Sequence, residues 1–248
     1  MERITSRKNA VAVHLKKLGA DASYRRECGE FVCDGKKLLA EALAWGAEIR
    51  TVLCAEGFKP PALPESVRVY EAPGELLEYA SYFKTPPDVL FSCAIPEKKR
   101  SPALPFIVLE NVQDPGNVGT VLRTADAFGA DVLLLGACAD AFSPKTVRAS
   151  MGAAFRREIF TAGLEELPGI LGGAPLYGAA LGADSTDIRE TDLQGAAVAV
   201  GSEGRGLSDR LLEMCTGRII IPMSPRCESL NAAAAAAVVL WEMKRRSI

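Results

Sequence analysis

Apolar residues along this 248-residue chain recur at two spacings, and the spacing changes from segment to segment. Val11, Leu15 and Leu18 fall four and three apart, which predicts an amphipathic helix from Asn9 to Leu18 with His14 as a solvated interruption. Leu38, Leu39, Ala42 and Leu43 define a second helix over Lys36 to Trp45, ended by Gly46 as its C-cap. Between and after them, short β-branched runs predict strands at Glu30 to Cys33, Ile49 to Cys54, Val67 to Tyr70 and Val89 to Ile95, with a helix from Glu75 to Phe83. Pro96-Glu97-Lys98-Lys99-Arg100-Ser101-Pro102 then breaks both patterns, and its prolines and charges mark a linker.

Beyond the linker the rhythm becomes strand, helix, strand, helix. Strands are expected at Phe106 to Leu109, Val132 to Leu135, Arg157 to Phe160, Leu176 to Leu181, Ala197 to Val200 and Arg218 to Ile221. Helices are expected at Val118 to Phe128, Lys145 to Met151, Leu164 to Leu171, after Ser208, and from Ser229 to Lys244, the last opening on a run of six alanines. Strands that are almost continuously apolar and alternate with helices predict a mostly parallel sheet covered on both faces. The chain therefore divides into a small α/β domain over 1–96, a linker over 97–104 and a larger α/β domain over 105–248.

Three of these strands empty into polar or glycine-rich loops. The first reads Glu110-Asn111-Val112-Gln113-Asp114-Pro115-Gly116-Asn117, where Asn117 is placed to cap the following helix. Capping accounts for Asn117 but not for Arg123, within the second turn of the helix and flanked by Thr120 and Thr124. Two readings of Arg123 stay open: an ion pair with Asp126 or Asp131, or a guanidinium fork aimed at phosphate. The second loop, Gly201-Ser202-Glu203-Gly204-Arg205-Gly206, has three glycines in six residues, which lets backbone approach a ligand closely. It is not a Walker A loop, because no Lys-Ser or Lys-Thr follows. The third runs from Ile221-Pro222-Met223 to Glu228-Ser229-Leu230-Asn231 and gathers polar groups at the start of the alanine-rich helix, more than capping requires.

Composition removes several alternatives. No stretch approaches the ~20 apolar residues of a membrane span and no signal core follows Met1, so a cytoplasmic protein without membrane contact is expected. Seven scattered cysteines without a CxxC pair argue against a disulfide framework, and a single histidine argues against a metal site and against Ser-His or Cys-His nucleophile pairs. The net charge of −2 hides an asymmetry: residues 1–37 carry +4, leaving −6 for the rest. Arg7, Lys8, Lys16, Lys17, Arg25 and Arg26 thus form a basic segment suited to a phosphate backbone, or simply a solvated helix surface.

Taken together, the three loops resemble the motifs of the SpoU-type, or TrmH-like, RNA 2'-O-ribose methyltransferases, in order and spacing from about Phe106 to Glu242. The N-terminal part, with Arg7-Lys8-Asn9 and Phe31-Val32-Cys33-Asp34-Gly35-Lys36, resembles the ribosomal-protein-like substrate-binding domain that often precedes that catalytic domain. The resemblance implies a trefoil-knotted α/β fold, a homodimer, S-adenosylmethionine as methyl donor, and RNA, chiefly ribosomal RNA, as substrate. It assigns Gly201, Gly206, Ile221, Met223 and Leu230 to the cofactor, and Asn117, Arg123, Glu203, Ser229 and Asn231 to catalysis. One departure is Ala232-Ala233 where many relatives have Val-Ser. Two rival readings use the same residues: an RNA-binding ribosome-assembly factor without activity, and a nucleotide-dependent oxidoreductase with Gly201 to Gly206 as its phosphate loop. Titration with S-adenosylmethionine separates both from a methyltransferase.

Overall fold

The computed structural model describes residues 1–85, 87–97, 101–224, 226–227 and 229–245. The chain runs β1 (Glu2–Arg3), α1 (Ala10–Ala20), α2 (Ala22–Cys28), β2 (Glu30–Asp34), α3 (Lys36–Ala44), β3 (Ile49–Ala55), β4 (Arg68–Ala72), α4 (Gly74–Ala80) and β5 (Val89–Ala94). It continues through β6 (Phe106–Glu110), α5 (Pro115–Phe128), β7 (Asp131–Leu135), α6 (Pro144–Ser150), α7 (Ala153–Arg156), β8 (Ile159–Ala162), α8 (Leu167–Leu171) and β9 (Leu176–Ala179). β10 (Ser185–Asp187), β11 (Ala197–Val200), α9 (Asp209–Met214), β12 (Gly217–Ile220) and α10 (Ala232–Lys244) complete it.

Four of these elements carry no apolar period and were not expected: β1, α2, α7 and β10. α2 is set by its ends instead. Asp21 accepts from the backbone of Ser23 and Tyr24, and Gly29 closes the helix in the left-handed conformation at φ 61°. β10 is the polar run Ser-Thr-Asp at a sheet edge, where it pairs with β12 on one side only.

The chain forms two compact units, and their division does not follow the sequence in one cut. The first unit is Met1–Glu97 together with Phe142–Arg156; the second is Lys98–Ala141 with Arg157–Ile248. α6 and α7, encoded beyond the 97–104 linker, make their contacts with the first unit. Of that linker, Lys98, Lys99 and Arg100 lie outside the described residues.

In the first unit a five-stranded sheet of order β1-β4-β3-β5-β2 mixes parallel and antiparallel pairs. One face buries Val32, Leu53 and Leu90 under Leu15 and Leu18 of α1 and Leu76 and Leu77 of α4. Residues of β2 alternate, so Phe31 points the other way, where its ring meets Phe142 at 4.9 Å and Phe155 at 6.1 Å. Ion pairs from Arg148 to Asp34 and from Arg156 to Glu41 fix the same segment. α6 thereby packs against β2, the strand at the edge of the sheet.

The second unit is a seven-stranded sheet of order β10-β12-β9-β11-β6-β7-β8, with every pairing among the described residues parallel. Phe106, Val108, Leu133, Leu135, Ala197 and Ala199 share one face and pack on Leu167 of α8 and Leu211 of α9. The opposite face is equally buried beneath α5 and α10. Gly119 of α5 and Ala232, Ala233 and Ala236 of α10 are buried small residues, which lets those two helices approach closely. From β6 the chain winds through β7 to β8, whereas from β11 it leads the other way to β12. The order therefore reverses between β6 and β11, and a crevice opens at the carboxyl ends of such a pair.

Candidate active site

The first two polar loops leave from the two strands that flank this reversal. At the end of β6, Glu110 is buried and accepts from Ser208 N at 2.7 Å and Ser208 Oγ at 2.6 Å. Ser208 Oγ in turn caps α9 by accepting from Leu211 N. This carboxylate thus ties the start of α9, and the glycine loop before it, to the end of β6. Asn111, at φ 55°, turns the chain beyond the strand, and its Oδ1 accepts from Ala137 N at 2.8 Å.

The helix that follows begins earlier than its apolar period indicates. Asp114 is the N-cap, with Oδ1 accepting from Asn117 N at 2.8 Å, and Pro115 takes the first helical position. Asn117 is therefore not the cap, contrary to expectation. Relieved of that task, its Nδ2 donates to Glu203 Oε1 and its Oδ1 accepts from Asn231 Nδ2 at 3.1 Å. Asn231 does cap α10, its Oδ1 accepting from Ala233 N at 2.9 Å and Ala234 N at 3.4 Å. The cap dictates which way the amide faces: with the oxygen held by the helix, only the NH2 remains to meet Asn117 and Glu203, the latter at 3.3 Å. Glu203 Oε1 also accepts from Ala232 N at 3.4 Å. Three residues from three loops, 86 and 28 positions apart, so form one hydrogen-bonded triangle.

Beside the triangle lies a pocket of about 380 Å³ at the ends of β9, β11 and β12. Gly201, Gly206, Ile221, Met223 and Leu230, the five residues assigned to the cofactor, all line it, as do Glu203 and Ser229. Its volume falls in the ~300–1,000 Å³ range of small-molecule sites. Gly201 shows how tightly the loop is folded: a Cβ there would stand 2.5 Å from Leu207 N and closer still to the carbonyl of Gly206. Gly206 closes the turn at φ 65°, with its N–H bonded to Ser202 O at 2.8 Å. Apolar walls with backbone groups at a glycine turn suit an adenosine and the short carbon chain beyond its sulfonium, so the residues present fit S-adenosylmethionine.

Arg123 stands elsewhere. It lies six residues after Asn117, about 9 Å along the axis of α5 and roughly 120° around it. It is exposed, does not line the pocket and has no hydrogen bond or ion pair among the described residues. Neither expected acid takes it: Asp126 pairs with Arg157 at 3.1 Å, and Asp131 accepts from Ala103 N at 2.8 Å. The structure thus brings together four of the five residues assigned to catalysis, Asn117, Glu203, Asn231 and the pocket-lining Ser229, and leaves the arginine apart. Glu228, part of the third loop, lies outside the described residues.

The basic segment divides as well. Arg7, Lys8, Lys16, Lys17 and Arg26 are exposed; Arg7 and Lys16 lie over the ring of Tyr79, and Lys17 over Tyr24. Arg25 is only 4% exposed and donates to Leu18 O at 2.5 Å, so it braces α1 against α2 and has no surface to offer RNA. His14 is not solvated either: its ring nitrogens meet Tyr24 Oη at 2.9 Å and Glu30 at 3.3 Å. Burial pushes the thiols of Cys54 and Cys215 up to about 11, which keeps them protonated and inert near neutrality. Among the described residues, no group of three or more His, Cys, Asp or Glu side chains could hold a metal, and no helix is long and apolar enough to cross a membrane.

Both units of the chain have known relatives. Residues 105–241 match the SpoU rRNA Methylase family, and residues 12–90 match the MRM3-like substrate binding domain. The chain is 32% identical to the 23S rRNA (guanosine(2553)-2'-O)-methyltransferase RlmP of Bacillus subtilis, covering 98% of this chain and 100% of that one. It is 30% identical to the 23S rRNA (uridine(2479)-2'-O)-methyltransferase of Streptomyces viridochromogenes, over 99% and 93% of the two chains. Among solved structures, the AdoMet-bound rRNA methyltransferase from Sinorhizobium meliloti superposes with a TM-score of 0.87 at 27% identity, over 100% of this chain and 98% of that one.

Proposed function

From a chain that belongs to the SpoU rRNA methylase family, we propose an enzyme that methylates a ribose 2'-hydroxyl of ribosomal RNA, with S-adenosylmethionine as its cofactor. The observation that carries this reading is the triangle of Asn117, Glu203 and Asn231 at the edge of a pocket lined by Gly201, Ile221 and Leu230. The inactive assembly factor and the oxidoreductase have no use for polar residues from three loops locked together beside such a pocket.

When bound, S-adenosylmethionine supplies an electrophilic methyl group on a sulfonium. The chain's task is to hold a hydroxyl in line with it and to manage the departing proton. The loop from Gly201 to Gly206 presents backbone groups to the adenosine, and Ile221, Met223 and Leu230 enclose it. Asn117, Asn231 and Ser229 orient the ribose by hydrogen bonds, with Glu203 fixing the two amides. Arg123, exposed and without an ion pair among the described residues, clamps an RNA phosphate and through it stabilises charge developing on the 2'-oxygen; a guanidinium holds its proton too firmly to act as a base, so the proton leaves through phosphate or water. DNA is excluded because it lacks the nucleophile. Isothermal titration with S-adenosylmethionine, followed by mapping of ribose methylation in ribosomal RNA from cells with and without the protein, tests the reading. No cofactor binding, or an unchanged methylation map, refutes it.

Three finer features belong to the same proposal. The second unit carries a trefoil knot, supported by the insertion of β11 between β6 and β9 and of β12 between β9 and β10; a chain trace in experimental density tests it. Two copies pair through the α5 and α10 surface, where Trp241 is 51% exposed, meets Phe128 edge to face and stands near the exposed Val238. The protein works in the cytoplasm, where ribosomal RNA is assembled.

A further inference from the structure

The first unit carries an aromatic turn that neither the basic segment of α1 and α2 nor the pocket accounts for. After α4 the chain runs Ser81-Tyr82-Phe83-Lys84. Ser81 Oγ accepts from Phe83 N at 3.0 Å, which folds the turn, and the two rings meet edge to face, with centroids 5.3 Å apart and an interplanar angle of 86°. Phe83 is clamped, with the guanidinium carbon of Arg148 3.3 Å from its ring centroid and Arg148 itself paired to Asp34. Gly19 of α1 seats the other side, since a Cβ there would already stand 3.4 Å from Tyr82 Cβ. The result is a rigid base from which Tyr82 projects, 47% exposed.

Its surroundings are cationic. Lys145 of α6 places Nζ 5.9 Å from the Tyr82 ring centroid, Lys84 is exposed two positions along the chain, and neither lysine has an ion pair among the described residues. Trp45 is more exposed, at 58%, but its neighbourhood is of opposite character: Arg156 beside it is paired to Glu41, and Glu48 is exposed three residues on. An exposed ring held rigidly between unpaired lysines fits one class of partner, because a base has an aromatic face and its flanking phosphates need cations. The cleft lined by Val32, Asp34, Tyr82 and Pro144 holds only about 10 Å³, so a base cannot enter it and must stack on the outer face of the ring.

We propose that Tyr82, with Lys84 and Lys145, forms a stacking platform for an unpaired nucleotide of the RNA substrate, set on the clamped Phe83–Arg148–Asp34 group. This rests on the reading of the protein as an RNA-modifying enzyme, and adds where and in what form the RNA is held: single-stranded, by a turn of the N-terminal segment and a helix supplied from residues 142–156.

The test is fluorescence anisotropy with the full-length protein, using a labelled ten-nucleotide oligoadenylate and a blunt RNA duplex as probes. Tyr82→Ala lowers affinity for the single strand about tenfold or more, while Tyr82→Phe stays within twofold, because the face and not the hydroxyl is used. Lys145→Ala weakens single-strand binding and reduces its salt slope by about 0.7. Trp45→Ala changes neither probe, and duplex affinity is unaltered in Tyr82→Ala. Thermal melts confirm folding, and should Tyr82→Ala not fold, the Lys145→Ala salt slope decides. The platform is refuted if Tyr82→Ala binds oligoadenylate within twofold of wild type, or loses duplex binding equally. Titration with S-adenosylmethionine, unaffected in every variant, keeps a failure of the platform distinct from a failure of the methyltransferase reading.

Discussion

Gly201→Ala is the sharpest perturbation the pocket offers, because three glycines in one loop differ so much in what a methyl group would meet. At Gly201 the new Cβ would stand 2.5 Å from Leu207 N and nearer to the carbonyl of Gly206, both backbone, so neither can swing aside. To relieve the overlap Gly206 must move by about an ångström, which breaks its bond to Ser202 O at 2.8 Å and opens the pocket wall. A lost backbone bond plus overpacking costs about 1–3 kcal/mol. Confined to the loop, that cost appears as a fall of about 5- to 150-fold in S-adenosylmethionine affinity. At Gly206, φ of 65° makes alanine costly by about 1–2 kcal/mol with nothing to clash against, and at Gly204 nothing lies within 4 Å. Calorimetric titration should therefore rank the variants Gly201→Ala weakest, Gly206→Ala next and Gly204→Ala equal to wild type. Thermal melts should change little, since Glu110 holds Ser208 and the start of α9 independently of the loop. Binding by Gly201→Ala within twofold of wild type, or equal damage from Gly204→Ala, refutes the reasoning.

Further outcomes follow from the same geometry. Asn231→Asp keeps the α10 cap, because Asp caps as well as Asn, yet sets a second carboxylate against Glu203; methyl transfer should fall at least ~100-fold with unfolding free energy within ~0.5 kcal/mol, and retained turnover would remove the triangle from the mechanism. Arg123→Ala should cut kcat/KM about 100-fold or more while S-adenosylmethionine binding stays within twofold; unchanged turnover would dismiss the phosphate clamp. Phe31→Ala, which empties the space between Phe142 and Phe155, should cost about 3–5 kcal/mol in urea unfolding, whereas a loss under ~1 kcal/mol would mean that α6 and α7 do not anchor the first unit. Iodoacetamide at pH 8 should modify the exposed Cys227 while Cys54 and Cys215, protonated up to about 11, resist; early labelling of either, read by peptide mass spectrometry, would contradict their burial.

What could be read beforehand tracks how local its cause is. The parallel sheet was legible because its central strands β6, β7 and β11 are buried on both faces and so read as nearly unbroken apolar runs, and the loops were legible because each starts where a strand's apolar run ends. Asn117 shows the limit. Its side chain could serve a helix cap or the site, and the choice rested on Asp114 three residues earlier being the better cap and on Asn231 lying more than a hundred positions away. Arg25 shows the same limit in reverse: a charge that looks solvated in sequence is buried because Leu18 presents a carbonyl to it. Residues 142–156 were hardest of all, since their helical period says only that one face is buried and not which unit buries it. Yet that assignment matters most for function. It delivers Lys145 and Arg148, encoded between two strands of the second unit, to the aromatic turn of the first. A chain that crosses between its units in this way cannot be cut at the linker without separating Tyr82 from the lysine beside it. The stacking platform proposed above is therefore a property of the folded chain, and no single stretch of sequence contains it.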